Sequence, residues 1–221
     1  MKRPDFQQER ELWKKGYKNV ACLDEVGRGA LCGPVVASAV ALNSNLKMQI
    51  SKLKIKIKNL RDSKKLTPKA RNIFYKILTS HPGIEWGIGK VYPRVIDRIN
   101  ILQATKLAMV RAVASLKAKK ERRKIDFLIL DGKMKLDLDT PQKSIVKADE
   151  KVFSCAVSSI IAKVKRDKAM LRYHKKYPQY GFDQHKGYGT KQHLKMLKKL
   201  GRCAIHRNSF NYYGSSKTKT H

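Results

Sequence analysis

From Asn19 to Leu42 the chain reads NVACLDEVGRGALCGPVVASAVAL. The apolar run Val20 to Leu23 stops at the adjacent acids Asp24 and Glu25, the pattern of a buried strand with carboxylates at its C-terminal end. VGRGALCG then turns the chain, and Pro34 to Leu42 is rich in β-branched residues, which predicts a strand–turn–strand pair. A second apolar run, Phe127 to Leu130, ends the same way at Asp131-Gly132. Ligands in α/β sheets collect at strand ends. If these two strands are neighbours, Asp24 and Asp131 share one edge of the sheet.

Outward from these strands the pattern alternates between strand and helix. Residues 1–18 are polar and basic with Leu12, Trp13 and Tyr17 interspersed, a short helical lead-in. KLKIKIK, within residues 43–60, alternates strictly and reads as a strand with a solvated lysine face. Thr67 is a candidate N-cap and Pro68 a first helical residue, with apolar residues at helical spacing after them. IEWGIGKV (84–91) reads as a strand, and the stretch from Pro93 keeps the helical period through about six turns. KSIVKADE is a short extended segment, followed by a long helix from Val152 to Tyr177. A Gly/Tyr-rich loop, YPQYGFDQHKGYGT, leads to a last helix, KQHLKMLKKLG. The organisation is a single α/β domain with a C-terminal helical extension (19–210) and a flexible basic tail (211–221).

Composition narrows the classes. The chain has 221 residues, enough to bury roughly 70% of its unfolded surface without disulfide or metal props. Fifty Lys and Arg against 17 Asp and Glu give a net charge of +33, so a polyanion is the expected neighbour, although part of the excess is solvated surface. The longest near-apolar stretch, Ala30 to Leu42, falls short of the roughly 20 residues of a membrane span. The first residues hold no apolar signal core. Four scattered cysteines without a CxxC pair fit a reducing compartment, the cytoplasm.

The acids carry the chemistry, with plain alternatives beside them. Asp24, Glu25, Asp131 and Asp149, the last just ahead of the long helix, cannot all stay ionised together without cations. Lysines can neutralise them, or Mg²⁺ can, since hard oxygen ligands suit it. Two such ions about 4 Å apart activate a water and stabilise a leaving oxygen in phosphodiester cleavage. Read from pattern alone, Asp24 and Asp131-Gly132 are equally turn residues, Asp149 a helix cap and Glu25 a surface acid. No histidine has metal spacing with another, so zinc is not expected. His185 is read as ordering its loop, His174 as lying on a solvated face, and His206 as part of the C-terminal packing.

LDEVGRGALCGPVVASAVAL resembles the opening motif of the type 2 ribonucleases H. The likeness continues in DSKKL (62–66), INILQATKLAM (99–109), ILDG (129–132), KADEKVFSCAVSSIIAKVKRD, YGFDQHKGYGT and HRNSF (206–210), in the family's order. The resemblance implies a ribonuclease H-like mixed five-stranded sheet flanked by helices, with a C-terminal helical part. It places the metal-binding acids on Asp24, Glu25, Asp131 and Asp149. The motif that reads a 2′-hydroxyl falls on Gly27, Arg28 and Gly29, and the junction-sensing tyrosine on Tyr188. Read from the residues, Lys186 would meet phosphate, and Lys64 and Lys65 would either meet phosphate or equally be surface loop lysines. Where the family has glycine this chain has Ala148, a methyl tolerable only at negative φ. Cys155, Val157 and Ser158 stand where the family has small apolar residues, read as a packing change.

The implied activity is an endoribonuclease using two Mg²⁺ or Mn²⁺ ions. It would cleave the RNA strand of RNA–DNA hybrids and nick 5′ to ribonucleotides embedded in duplex DNA, leaving 5′-phosphate and 3′-hydroxyl ends. A non-catalytic nucleic-acid-binding protein and a type 3 ribonuclease H are the alternatives. The type 3 reading is disfavoured because Asp24 comes too early for an added N-terminal domain. The chain is expected to act as a monomer, with no sliding-clamp peptide in its tail.

Overall fold

The computed structural model describes residues 4–42, 66–118 and 124–211. Five strands form one mixed sheet in the order β3-β2-β1-β4-β5. They are β1 (Val20–Val26), β2 (Val35–Leu42), β3 (Ile84–Val91), β4 (Phe127–Asp131) and β5 (Gln142–Ile145). β1, β2 and β3 pair antiparallel, as short connections allow, whereas β4 joins β1 in parallel and β5 joins β4 in parallel. Every residue of β2 is buried, because helices cover both faces of the sheet centre.

The helices are α1 (Gln7–Lys14), α2 (Pro68–Ser80), α3 (Pro93–Lys117), the single turn α4 (Ala148–Lys151), α5 (Phe153–Lys176), the short α6 (Phe182–His185) and α7 (Lys191–Leu200). α3 covers one face of the sheet, packing Ala104, Ala108 and Ala112 against Ala21, Leu23, Ala37 and Ala39. Its close approach needs glycine on β3: a Cβ on Gly89 would lie 1.9 Å from the Ala108 carbonyl oxygen. α5 covers the opposite face, where Val157, Ile160 and Ile161 meet Val40 and Leu42. α1 closes the same side, its Leu12 packed near Val20, Cys22 and Cys155. The residues after α5 form a separate small core of Tyr180, Phe182, Leu197 and Ile205 around Cys32 and Met170.

The sheet and its flanking helices are those the sequence implied. β1 carries both acids at its C-terminal end, as expected, and runs one residue further, to Val26. Three local differences remain. The helical period from Pro93 is broken at Asn100 (φ 61°, ψ 168°), whose Oδ1 accepts the N–H groups of Leu102 and Gln103 and so caps the longer second segment. The extended reading of KSIVKADE holds to Ile145; Lys147 then turns left-handed (φ 57°) and Ala148 begins a helical turn. His174 does not lie free on a solvated face but pairs with Asp183 at 3.2 Å. Thr67 caps α2 through its Oγ1, which accepts the Ala70 N–H at 3.2 Å. The alternating KLKIKIK stretch, Lys64 and Lys65 lie outside the described residues, as does all of the basic tail beyond 211. No helix among the described residues is long and apolar enough to cross a membrane.

Candidate active site

Strand pairing brings the acids together. Leu23 pairs with Leu130 in the parallel β1–β4 ladder, so Asp24 and Asp131 are the next residues on adjacent strands and share a side of the pleat. That side is the one from which Cys22 and Ile129 meet Ala148 and Cys155. Asp149, on α4, completes the group: carboxylate oxygens of Asp24, Asp131 and Asp149 all lie within 4.8 Å of one another. Glu25, one residue on, is not in this triad but lines the same cleft as Asp24, and its charge helps to raise the Asp24 carboxyl. Its Oε1 lies 3.4 Å from Nη1 of Arg28.

The backbone around the triad is held by specific bonds. Ser158 of α5 accepts the Asp24 N–H at 3.1 Å and donates to the Ser38 carbonyl at 2.8 Å, tying helix to strands beside the acids. The Asp24 Oδ1 accepts the Glu25 N–H at 2.7 Å. Ala148 is not among the residues of positive φ, which is what its methyl requires; the left-handed step falls on Lys147 instead.

Burial first, then the charges of Glu25, Asp131 and Asp149, push the Asp24 carboxyl well above the ordinary range, with the Ser159 hydroxyl opposing. Burial also raises Glu25, and the Arg28 guanidinium pulls it back. An all-oxygen, mutually repelling donor set of this kind fits a hard divalent cation, which would relieve the repulsion.

A cleft of about 600 Å³ opens beside the triad, with Asp24 and Glu25 in its lining. Its walls carry Arg71 and Asn72 from α2, Ser159, Lys163 and Lys168 from α5, and Lys186 and Tyr188 from the loop before α7. Cations thus line the approach to an acidic floor, an arrangement suited to a polyanion whose reacting group meets metal. Lys163 and Arg71 are partly spent on Asp167, at 2.8 and 3.5 Å. The Tyr188 ring lies 5.2 Å from the Arg166 guanidinium carbon and 6.0 Å from Lys163 Nζ.

Gly27 has φ +94°, and a Cβ there would sit 2.1 Å from Arg166 Nε. At Gly29 a Cβ would meet nothing within 4 Å and the backbone is not left-handed, so the fold itself does not demand glycine. Sequence reading missed Ser158, Ser159, Lys163, Arg166 and Arg207. The i, i+4 series Ser159, Lys163, Asp167, Leu171, all on the cleft, is the signal that marks this face of α5. Arg166 and Arg207 are fully buried and bond to main-chain carbonyls. Burying a guanidinium costs several kcal/mol, offset by charged hydrogen bonds of about 1.5–3 kcal/mol each. Arg207, pushed down to about 10 by burial, keeps its charge at neutral pH.

A second cluster, Cys32, His193 and His206, also converges within 4.8 Å, a proximity that residue spacing did not reveal. His193 Nδ1 donates to the Tyr188 carbonyl at 3.0 Å, leaving Nε2 to accept from His206 Nε2 at 3.1 Å. His206 Nδ1 in turn accepts the Cys203 N–H at 2.9 Å. The imidazole nitrogens are spent within the C-terminal packing. His185 orders its loop, bonding the Tyr180 carbonyl at 2.7 Å and the Gly187 N–H at 3.1 Å.

Sheet and site together define a class, the ribonuclease H-like hydrolases. Ribonuclease H2 of Pyrococcus horikoshii superposes with a TM-score of 0.67 at 26% identity, over 87% of this chain and 93% of that one. Ribonuclease HII of Archaeoglobus fulgidus, solved in complex with PCNA, shares the fold with a TM-score of 0.69 at 22% identity, over 90% and 98%. Within that class, the ribonuclease HII family model matches residues 21–213. Ribonuclease HII of Chlamydia trachomatis serovar D is 45% identical over 203 residues, 92% of this chain and 87% of its own. The chain belongs to the ribonuclease HII family, enzymes that hydrolyse phosphodiesters.

Proposed function

We propose that the cleft binds RNA–DNA hybrids and DNA duplexes carrying single ribonucleotides, and hydrolyses the phosphodiester 5′ to a ribonucleotide, leaving 5′-phosphate and 3′-hydroxyl ends. The observation that carries this reading is the convergence of Asp131 and Asp149 on Asp24, which with Glu25 lines a cation-rich cleft that also holds Tyr188. These acids, with Glu25 beside them, would hold two Mg²⁺ or Mn²⁺ ions, which supply Lewis acidity and a nucleophile at neutral pH when bound. Asp24, buried and facing the charges of all three other acids, would be the carboxylate most relieved by a bound cation.

The remaining work falls to the chain's own groups. β1 and β4 hold two of the carboxylates on rigid backbone, so little reorganisation accompanies binding. Lys186 and the cations of α2 and α5 orient the phosphate strand. The open space at Gly29 lets a ribose approach the backbone, where main-chain groups can bond its 2′-hydroxyl. Tyr188 packs on the neighbouring deoxyribose, which lacks that group.

A DNA duplex carrying one ribonucleotide, incubated with and without Mg²⁺, tests the proposal. A single nick 5′ to the ribonucleotide, only with the ion present, is the expected result. Tight, salt-sensitive binding without cutting would overturn it in favour of a non-catalytic binder.

A further inference from the structure

Arg207 and Arg166 meet beneath the GRG turn. Arg207 donates to the carbonyls of Gly27 (Nη2, 2.6 Å), Arg28 (Nη1, 2.8 Å) and Gly33 (Nε, 3.1 Å). Arg166 donates to those of Pro34 (Nε, 3.1 Å), Cys32 (Nη2, 3.2 Å) and Lys186 (Nη1, 2.9 Å). Neither forms an ion pair among the described residues, so both charges are spent on orienting main chain. A planar fork of five donors fixes the direction of several carbonyls at once, which apolar packing or a lysine cannot do.

The consequence is a definite presentation of the loop. With the Gly27 and Arg28 carbonyls drawn inward, the N–H groups of Arg28 and Gly29 bond nothing among the described residues. Arg166 also fastens the segment carrying Tyr188 by holding the Lys186 carbonyl, and beside it the Leu31 N–H bonds the Gly187 carbonyl at 2.8 Å. The acids are positioned separately, by β1, β4, α4 and Ser158.

We infer that Arg166 and Arg207 are positioning residues for sugar discrimination, holding the Gly27–Gly29 turn and the Tyr188 loop at a fixed spacing. The substrate feature they serve is the ribose-to-deoxyribose step, not the metal-assisted cleavage itself. This rests on the reading of the cleft given above. A uniform hybrid offers a 2′-hydroxyl at every position of its RNA strand and tolerates a loosened spacing. A lone ribonucleotide does not.

Arg207→Lys and Arg166→Lys keep the charge and lose the fork. Arg207→Gln keeps an amide donor and loses both the charge and the fork. Each variant is compared with the native chain on a single-ribonucleotide duplex and a uniform hybrid, with Mn²⁺ binding followed by calorimetry. The expected result is a fall of about tenfold or more in kcat/KM for the single-ribonucleotide duplex relative to the hybrid, with Mn²⁺ affinity unchanged. Equal losses on both substrates, or no loss, would overturn the inference. If the lysine variants fail to fold, Arg207→Gln decides by the same ratio. A native chain that cuts neither duplex refutes the function reading instead, so the two failures are distinguishable.

Discussion

Ala148 donates its backbone N–H to Oδ1 of Asp131 at 2.6 Å, joining the start of α4 to the end of β4 across 17 residues of chain. The next residue is Asp149, so this one bond sets where the third carboxylate of the triad stands. Asp131 therefore has two separable tasks, as an acceptor that shapes a turn and as a charge.

Asparagine preserves the acceptor oxygen and alanine removes it. Asp131→Asn should melt like the native chain, whereas Asp131→Ala should lose about 1–2 kcal/mol of stability, read by denaturant titration. Both should be inactive in a hybrid-cleavage assay. An active Asp131→Asn enzyme would separate this carboxylate from the chemistry.

Asp24 carries a destabilising charge when no cation is present. Its carboxyl lies well above the ordinary value of 3.8, so the folded state binds a proton more tightly than the unfolded state. Without divalent ions, the contribution of this group is greatest below that ordinary value and declines as pH rises through the raised one. Asp24→Asn should flatten this decline and raise the melting temperature in EDTA at pH 7, while nearly abolishing cleavage and leaving hybrid binding intact. Melting curves in EDTA across pH provide the check.

Ser158→Ala strands the buried N–H of Asp24 without its acceptor. The cost should be about 1–3 kcal/mol of stability, and kcat should fall while hybrid affinity holds. Steady-state kinetics beside binding measurements distinguish this from a packing change, the role that sequence reading assigned to Ser158.

Burial pushes His193 and His206 down to about 4. Groups neutral in the fold but ready to protonate when unfolded add stability above the ordinary histidine value of 6.5, and it is lost as pH falls towards 4. Each can contribute up to about 3 kcal/mol over that interval. Replacing His206 by Gln should shrink the acid-side loss, measured as the difference between native and variant unfolding curves from pH 7 to 4.

Gly89→Ala drives a methyl into the backbone of α3, where the Ala108 oxygen stands 1.9 Å away. Neither helix nor strand can yield locally, so the loss should reach about 3 kcal/mol or more. A variant with native denaturation behaviour would show that α3 can slide on the sheet.

Much of this was open to reading because it is local. Period-2 and helical spacing, the Thr67-Pro68 start signal and the apolar runs that end at Asp24 and Asp131 are properties of contiguous residues, and they mark most of the elements. Even the break at Asn100 has a local cause, an asparagine able to cap, yet uninterrupted apolar spacing hid it. The carboxylates drew notice because an acid at the end of a buried run is out of place unless something compensates it.

What the order of residues determined by itself was the set of elements, the acids at the strand ends, and the motifs that mark a type 2 ribonuclease H. Only the tertiary structure decided that three acids meet while Glu25 approaches Arg28, that Ser158 pins β1 at Asp24, and that two arginines organise the loops. Strand register, pleat direction and helix rotation are shared between segments more than a hundred residues apart. No window of the chain contains them, because they follow from how faces pack once water is excluded.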